Sequence, residues 1–219
     1  MNFEFSVDFC FEGIMEFKEK YGDYNTVKKF DERVIKLSIP RLSYLFLKNV
    51  EGCNKKAHTK IIISSNESKL IYETAKIKGV NTSELAKAIL ASKDPEWNYY
   101  YARDIKDAIV KEHEFVVFNS SDSLLKYYFA RDVKDADKRK FGLAAVESGD
   151  PSINFFYAKD IQDGLLYEHM EVVKKDKELY EKLLTILGIK KESTKEKQTQ
   201  EMCKEARRVL RRLDYIVSE

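Results

Sequence analysis

The ten residues YYYARDIKDA, Tyr99–Ala108, return as YYFARDVKDA at Tyr127–Ala136 and as FFYAKDIQDG at Phe155–Gly164, each copy 28 positions after the last. Self-similarity at a stride of this size restricts a chain to stacked supersecondary units, each burying its apolar face against its neighbours. The register extends both ways. PRLSYLFLKNVEGC, Pro40–Cys53, matches column by column, and ESKLIYETAKIKGV, Glu67–Val80, matches once one residue is dropped from the turn before it. An apolar column then reads Val50, Ile77, Ile105, Val133, Ile161, and Ile189 in LYEKLLTILGI opens a half-copy that ends the series.

Each copy decodes as two short helices. Asp94, Asp122 and Asp150, with Asn66 in an earlier copy, stand where a first helix begins, because such side chains accept from the free N–H groups of a first turn. Pro95 and Pro151 follow at the position where a missing N–H costs nothing. The column Gly52, Gly79, Asp107, Asp135, Asp163 is expected to end this helix in a sharp reversal. With Trp97, Tyr99, Tyr100, Tyr101, Ala102 and Ile105 the first helix is apolar nearly all round, the mark of a buried one. The second helix carries pairs such as Ile61–Ile62, Val116–Val117 and Val172–Val173, and a Ser column (Ser65, Ser92, Ser120, Ser148) closes the unit.

The expected fold is therefore all-α: an α-solenoid of about five two-helix repeats of period 28, with atypical capping helices at both ends. Residues 1–37 read as a degenerate N-terminal capping unit, 38–189 as the repeat array, and 190–219 as a C-terminal capping or coiled-coil-like helix, all in one continuous domain. The last helix places Met202, Ala206, Val209, Leu213 and Ile216 on one stripe, which also suits a homodimer.

Composition excludes several functions. Thirty-nine basic against 37 acidic residues leave no global excess of the kind nucleic-acid binders carry. Cys10, Cys53 and Cys203 are odd in number and widely spaced, which suggests neither a disulfide framework nor a metal site. The acidic start and the lack of a long apolar run point to a cytoplasmic chain without a membrane span. No nucleophile elbow, phosphate loop or paired-carboxylate constellation occurs, so no catalytic residue and no cofactor is expected.

His58, His113 and His169 share one column with Leu85 and Phe141, which reads as a half-buried packing position. The pairs Arg103–Asp104, Arg131–Asp132 and Lys159–Asp160 form a ladder. Its plain reading is that the acid satisfies turn N–H groups or pairs with an Arg of the next unit; its functional reading is a row of cations facing a phosphate backbone or an acidic protein surface. Candidate partner-binding residues are Arg103, Arg131 and Lys159, the rim tyrosines Tyr99 and Tyr127 (with Tyr72), and Arg207, Arg208, Arg211 and Arg212 of the terminal run.

The SGDPSINFFYAKDI and YYFARDVKDA patterns resemble a 28-residue repeat seen in bacterial and phage proteins, similar in design to HEAT-like and leucine-rich-variant α-solenoids. The resemblance covers about residues 38 to 189 and implies a non-enzymatic scaffold or binding surface. The expectation is an adaptor, inhibitor or immunity-type protein docking a protein partner. The alternative is a nucleic-acid-binding solenoid that uses the Arg and Lys ladder. A third reading, a HEAT-like nucleic-acid enzyme, lacks a matching catalytic residue in this sequence.

Overall fold

The computed structural model describes residues 24–189, with side chains from Lys28 onward. They form twelve helices: α1 (Tyr24–Leu37), α2 (Pro40–Asn49), α3 (Lys55–Ser64), α4 (Ser68–Ala75), α5 (Thr82–Ser92), α6 (Pro95–Asp104), α7 (Val110–Phe118), α8 (Ser123–Asp132), α9 (Lys138–Ser148), α10 (Pro151–Asp160), α11 (Leu166–Val173) and α12 (Lys177–Ile186). The described residues contain no strand, and no helix among them is long and apolar enough to cross a membrane. The remainder of the N-terminal capping unit and the whole C-terminal helix, with Arg207, Arg208, Arg211 and Arg212, lie outside the described residues.

The described residues divide into two compact units, 24–145 and 146–189. Within the first, α2, α4, α6 and α8 pack in succession, as do α1, α3, α5 and α7, and α2, α4 and α6 each pair with the second helix of their own repeat. That neighbour-only packing is the solenoid plan the 28-residue stride predicts. The core runs along the first-helix row through Leu42, Phe46, Ile71 and Tyr101, and is closed by Ile62, Leu85 and Ile89 of the second row. The second unit builds a smaller core from Phe155, Ala158, Val173 and Leu183, with α10 against both α11 and α12.

Helix starts follow the caps. Asp94 accepts from the N–H of Glu96 and Trp97, Asp122 from Leu125, and Asp150 from Ser152 and Ile153. The Ser column has a defined task. Ser65 and Ser92 each donate to the carbonyl three residues back, while the hydroxyl accepts from the N–H of Glu67 or Asp94. One hydroxyl thus ties the end of a second helix to the start of the next first helix.

Three expectations need correction. Asn66 is not an N-cap; it takes a left-handed conformation (φ 56°) in a column with Ser38, Lys93 and Gly149, and Glu67 precedes α4 with no side-chain cap. The first helices also end three residues before the Gly/Asp column, at Asn49, Asp104, Asp132 and Asp160. Val50, Ile105, Val133 and Ile161 are extended residues beyond the helix, each still donating its N–H four residues back. β-Branched side chains suit extended backbone, and here they are buried as plugs between helices. Finally, the dropped residue falls at the end of α4 and not in the turn before it. Ser68 aligns with Pro40 and Pro95 as first helical residue, but α4 stops at Ala75 and skips the Asp column altogether.

Ala130 is fully buried on α8 beside Phe129. Ala130→Leu should lower stability by roughly 1–3 kcal/mol through overpacking, read as a lower denaturant midpoint at unchanged slope. Arg131→Ala, at a half-exposed pair, should cost less than about 1 kcal/mol.

Candidate functional site

The helices α6, α8 and α10 each end on a cation followed by an acid, so the two side chains emerge together at the last turn. Arg103 grips its neighbour Asp104 through two bonds, Nε–Oδ1 at 2.7 Å and Nη2–Oδ2 at 2.9 Å, and donates a third to the Tyr99 hydroxyl at 3.1 Å. Its guanidinium carbon lies 5.1 Å and 4.9 Å from the Tyr99 and Tyr100 ring centroids. Arg131 repeats this arrangement on Asp132, Tyr127 and Tyr128. The expected ion pair with the next unit is therefore not the observed one, because each acid is taken by the cation one residue before it.

What crosses between repeats is a phenol. Tyr72 donates to Asp104, and Tyr99 donates to Asp132 at 2.7 Å. The result is a continuous chain of bonds, Tyr72 to Asp104 to Arg103 to Tyr99 to Asp132 to Arg131 to Tyr127, spanning three repeats. Its electrostatics are consistent with charge held in place. The Arg103 guanidinium keeps the Asp104 carboxyl below the ordinary carboxylate range, Arg131 does the same for Asp132, and burial with the Asp132 bond pushes Tyr99 up to about 12. Lys159 stands 3.5 Å from Asp160 and 6.0 Å from the Phe156 ring, a looser version of the motif.

The histidines are not half-buried; all three are sealed from solvent, as are Leu85 and Phe141 in the same column. An aromatic of the repeat's own first helix lies against each ring: Phe46 at 5.6 Å from His58, Tyr101 at 5.0 Å from His113, Tyr157 at 5.3 Å from His169. For His113 and His169 an asparagine 15 positions earlier shares the pocket. Asn98 accepts from His113 Nδ1 at 2.7 Å and Asn154 from His169 Nδ1 at 2.6 Å, while each asparagine's own N–H₂ donates to a backbone carbonyl. Where the column holds Leu85, the matching first-helix residue is the apolar Ile71.

The far nitrogen is handled differently in each copy. His58 Nε2 bonds to Asp31 of α1 at 2.7 Å, and His169 Nε2 bonds to Asp163 at 2.8 Å. Both carboxylates also accept a backbone N–H at the start of the adjoining helix, from Asn54 and Leu165. His113 Nε2 has no hydrogen-bond partner, and burial holds this imidazole down at about 4.

Asp31, Cys53 and His58 place one ligand-type atom each within 4.8 Å of the others, all buried. The sequence reading missed this group because Asp31 belongs to α1, a repeat earlier than the histidine. Its chemistry is that of a hydrogen-bond cluster. The His58 nitrogen is in direct contact with the carboxylate, the thiol donates to the Phe46 carbonyl at 3.8 Å, and burial followed by Asp31 pushes that thiol up from its ordinary value.

Two of the surface concavities in the first unit bear on function. One, of about 760 Å³, lies among Leu90, Pro95, Glu112, Phe115 and Val116, where α5 and α7 meet the start of α6. Phe115 there is 68% exposed, and Ile109 at the start of α7 is 61% exposed. The other, of about 850 Å³, opens where α2 and α4 end, among Tyr44, Lys48, Lys55, Glu73, Lys76 and Lys78. Neither was marked by the sequence patterns. Of the residues expected to bind a partner, Arg103, Arg131, Tyr99 and Tyr127 converge on the ladder of the first unit, and Lys159 lies in the second.

Two outcomes follow from these contacts. Tyr99→Phe should cost about 1 kcal/mol by removing the link between Arg103 and Asp132. A double-mutant cycle with Asp132→Asn should recover a coupling of similar size, while Tyr100→Phe should be near neutral. The second outcome concerns pH. The folded chain resists protonation of His113 down to about 4, whereas the unfolded ring takes a proton near its ordinary 6.5. Stability conferred by the neutral ring is thus full above 6.5 and falls as pH drops from 6.5 toward about 4, by at most ~3 kcal/mol. The double variant Asn98→Ile/His113→Leu, which copies Ile71 and Leu85, should fold and lose that part of the acid sensitivity in thermal melts taken across this window. His113→Leu alone strands the Asn98 carbonyl and should cost about 1–3 kcal/mol at neutral pH.

No family model matches the chain, and neither does a curated protein or a solved structure.

Proposed function

We propose that the chain is a non-enzymatic helical-repeat protein that docks a protein partner, in an adaptor, inhibitor or immunity-type role. The observation that carries this reading is the exposed apolar groove around Phe115. A large ring 68% open to solvent, at the mouth of a concavity of about 760 Å³ lined by Leu90, Pro95 and Val116, is costly to leave in water. Such patches on soluble domains mark contact surfaces, and aromatic anchors dominate the energetics of protein interfaces. The resemblance to HEAT-like repeats of bacterial and phage proteins agrees with a scaffold role.

The competing reading, a phosphate backbone on the Arg ladder, is weakened by the ladder's own chemistry. Arg103 and Arg131 each spend two donors on an adjacent carboxylate and one on a phenol, so the row presents nearly neutral pairs. A phosphate would have to compete with a bidentate carboxylate already in place.

The test is a pull-down from native lysate with tagged full-length protein, treated with nuclease, comparing the wild type with Phe115→Glu. A discrete protein that survives nuclease and is depleted at least about tenfold by the variant is the expected result. The variant should keep the wild-type helicity and melting temperature, since Phe115 is exposed. Recovery of nucleic acid alone, lost on digestion, would transfer the function to the cationic row.

A further inference from the structure

The tyrosine column of the ladder follows a rule: a hydroxyl is present where the next first helix supplies a carboxylate. Tyr72 meets Asp104, and Tyr99 meets Asp132. In the second unit, α12 carries no Asp, and the corresponding residue of α10 is Phe155, which has no hydroxyl to satisfy. Tyr44 breaks the rule. It keeps the hydroxyl, yet α4 ends early and omits the Asp position, and among the described residues that hydroxyl makes no hydrogen bond.

The cations around Tyr44 are short of acids for the same reason. Lys48 occupies the Arg103 column but is followed by Asn49, whose amide turns back onto the Leu45 carbonyl. Among the described residues Lys48 has no ion pair, and its Nζ sits 5.8 Å from the Tyr44 ring centroid. Lys55 donates to the Lys78 carbonyl at 2.6 Å, a contact that leaves its charge uncompensated. Glu73 is taken by Lys76 at 2.9 Å, which leaves Glu51 as the other acid of the groove against Lys48, Lys55 and Lys78. A phenol donor and a ladder cation therefore face a concavity of about 850 Å³ at the place where the later repeats hold a carboxylate.

We propose that this groove binds a carboxylate side chain from an acidic segment of the protein partner, which takes the position that Asp104 and Asp132 hold in the following repeats. This rests on the protein-docking reading above and adds the chemistry of the contact. The bound carboxylate accepts from the Tyr44 hydroxyl and pairs with Lys48, so the partner extends the ladder by one rung. A carboxylate fits better than a nucleic-acid backbone because the later cations of the ladder column in this unit are already paired, Lys76 with Glu73, Arg103 with Asp104 and Arg131 with Asp132, so no row of free cations is offered.

The experiment uses full-length protein and three labelled probes in fluorescence anisotropy: a decapeptide of alternating Glu and Ser, its Gln-for-Glu counterpart, and a short random-sequence duplex. The Glu peptide should bind at least about tenfold more tightly than the Gln peptide, with Tyr44→Phe and Lys48→Gln each weakening it about five- to tenfold. Inserting one Asp between Lys76 and Ile77 restores the 28-residue stride and supplies the carboxylate internally. That variant should melt higher and lose the Glu peptide. Should it fail to fold by circular dichroism, the two point variants, on exposed or half-exposed side chains, still decide the question. Equal binding of the Gln peptide, tighter binding of the duplex, or full binding by a folded insertion variant would overturn the site. Phe115→Glu should leave Glu-peptide binding intact. If that variant loses the captured partner while the Glu peptide fails to bind, protein docking stands and the carboxylate site falls.

Discussion

A phenol that donates a hydrogen bond to a carboxylate one repeat further on ties α4 to α6 and α6 to α8 in register. Each first helix buries most of its circumference, and the cation–acid pairs of α6 and α8 sit at the last turn. There the Arg–Asp fork holds the acid rigid, and the incoming Tyr hydroxyl reads its position. Dispersion and burial supply most of the stability, but they are indifferent to small slips along the helix axis. A hydrogen bond at 2.7 Å between Tyr99 and Asp132 is not.

The histidine pockets show a second kind of specificity. In two copies an asparagine satisfies the near nitrogen of the buried imidazole: Asn98 with His113, Asn154 with His169. In the Leu85 copy both positions are apolar, Ile71 with Leu85, whereas His58 is held through its far nitrogen by Asp31. The asparagine pairing was legible in the sequence 15 positions before His113 and His169, and column-wise reading overlooked it because it treated each column alone. The second-nitrogen partners were not legible. Asp31 and Asp163 lie on opposite sides of their histidines in the chain, and no common spacing links them.

The repeat, the helix pairs, the Asp caps and the buried first helix all follow from local rules, so they could be read directly. The errors arose where local rules compete. Val50, Ile105 and Val133 fit a helical stripe by spacing but are extended plugs, because β-branched residues satisfy either reading until the helix end is known. Asn66 has the chemistry of a cap but occupies the left-handed position one residue earlier, which Ser38, Lys93 and Gly149 share. Placing the missing residue in the wrong loop hid the fact that α4 lacks its Asp, and with it the exception at Tyr44. The Phe115 groove carries no motif, since exposure is a property of the folded surface and not of the residue.

The Tyr–Asp bond spans 32 or 33 residues, slightly more than one copy of the unit. Gene duplication that adds or removes a whole unit therefore rejoins every tyrosine to an equivalent aspartate, wherever the crossover falls. A fractional deletion does not. The copy that is one residue short at the end of α4 offers Tyr44 no aspartate, yet its helices remain stacked. The length of such an array is thus open to evolution in steps of one repeat, while any smaller step leaves a polar group to be satisfied from outside.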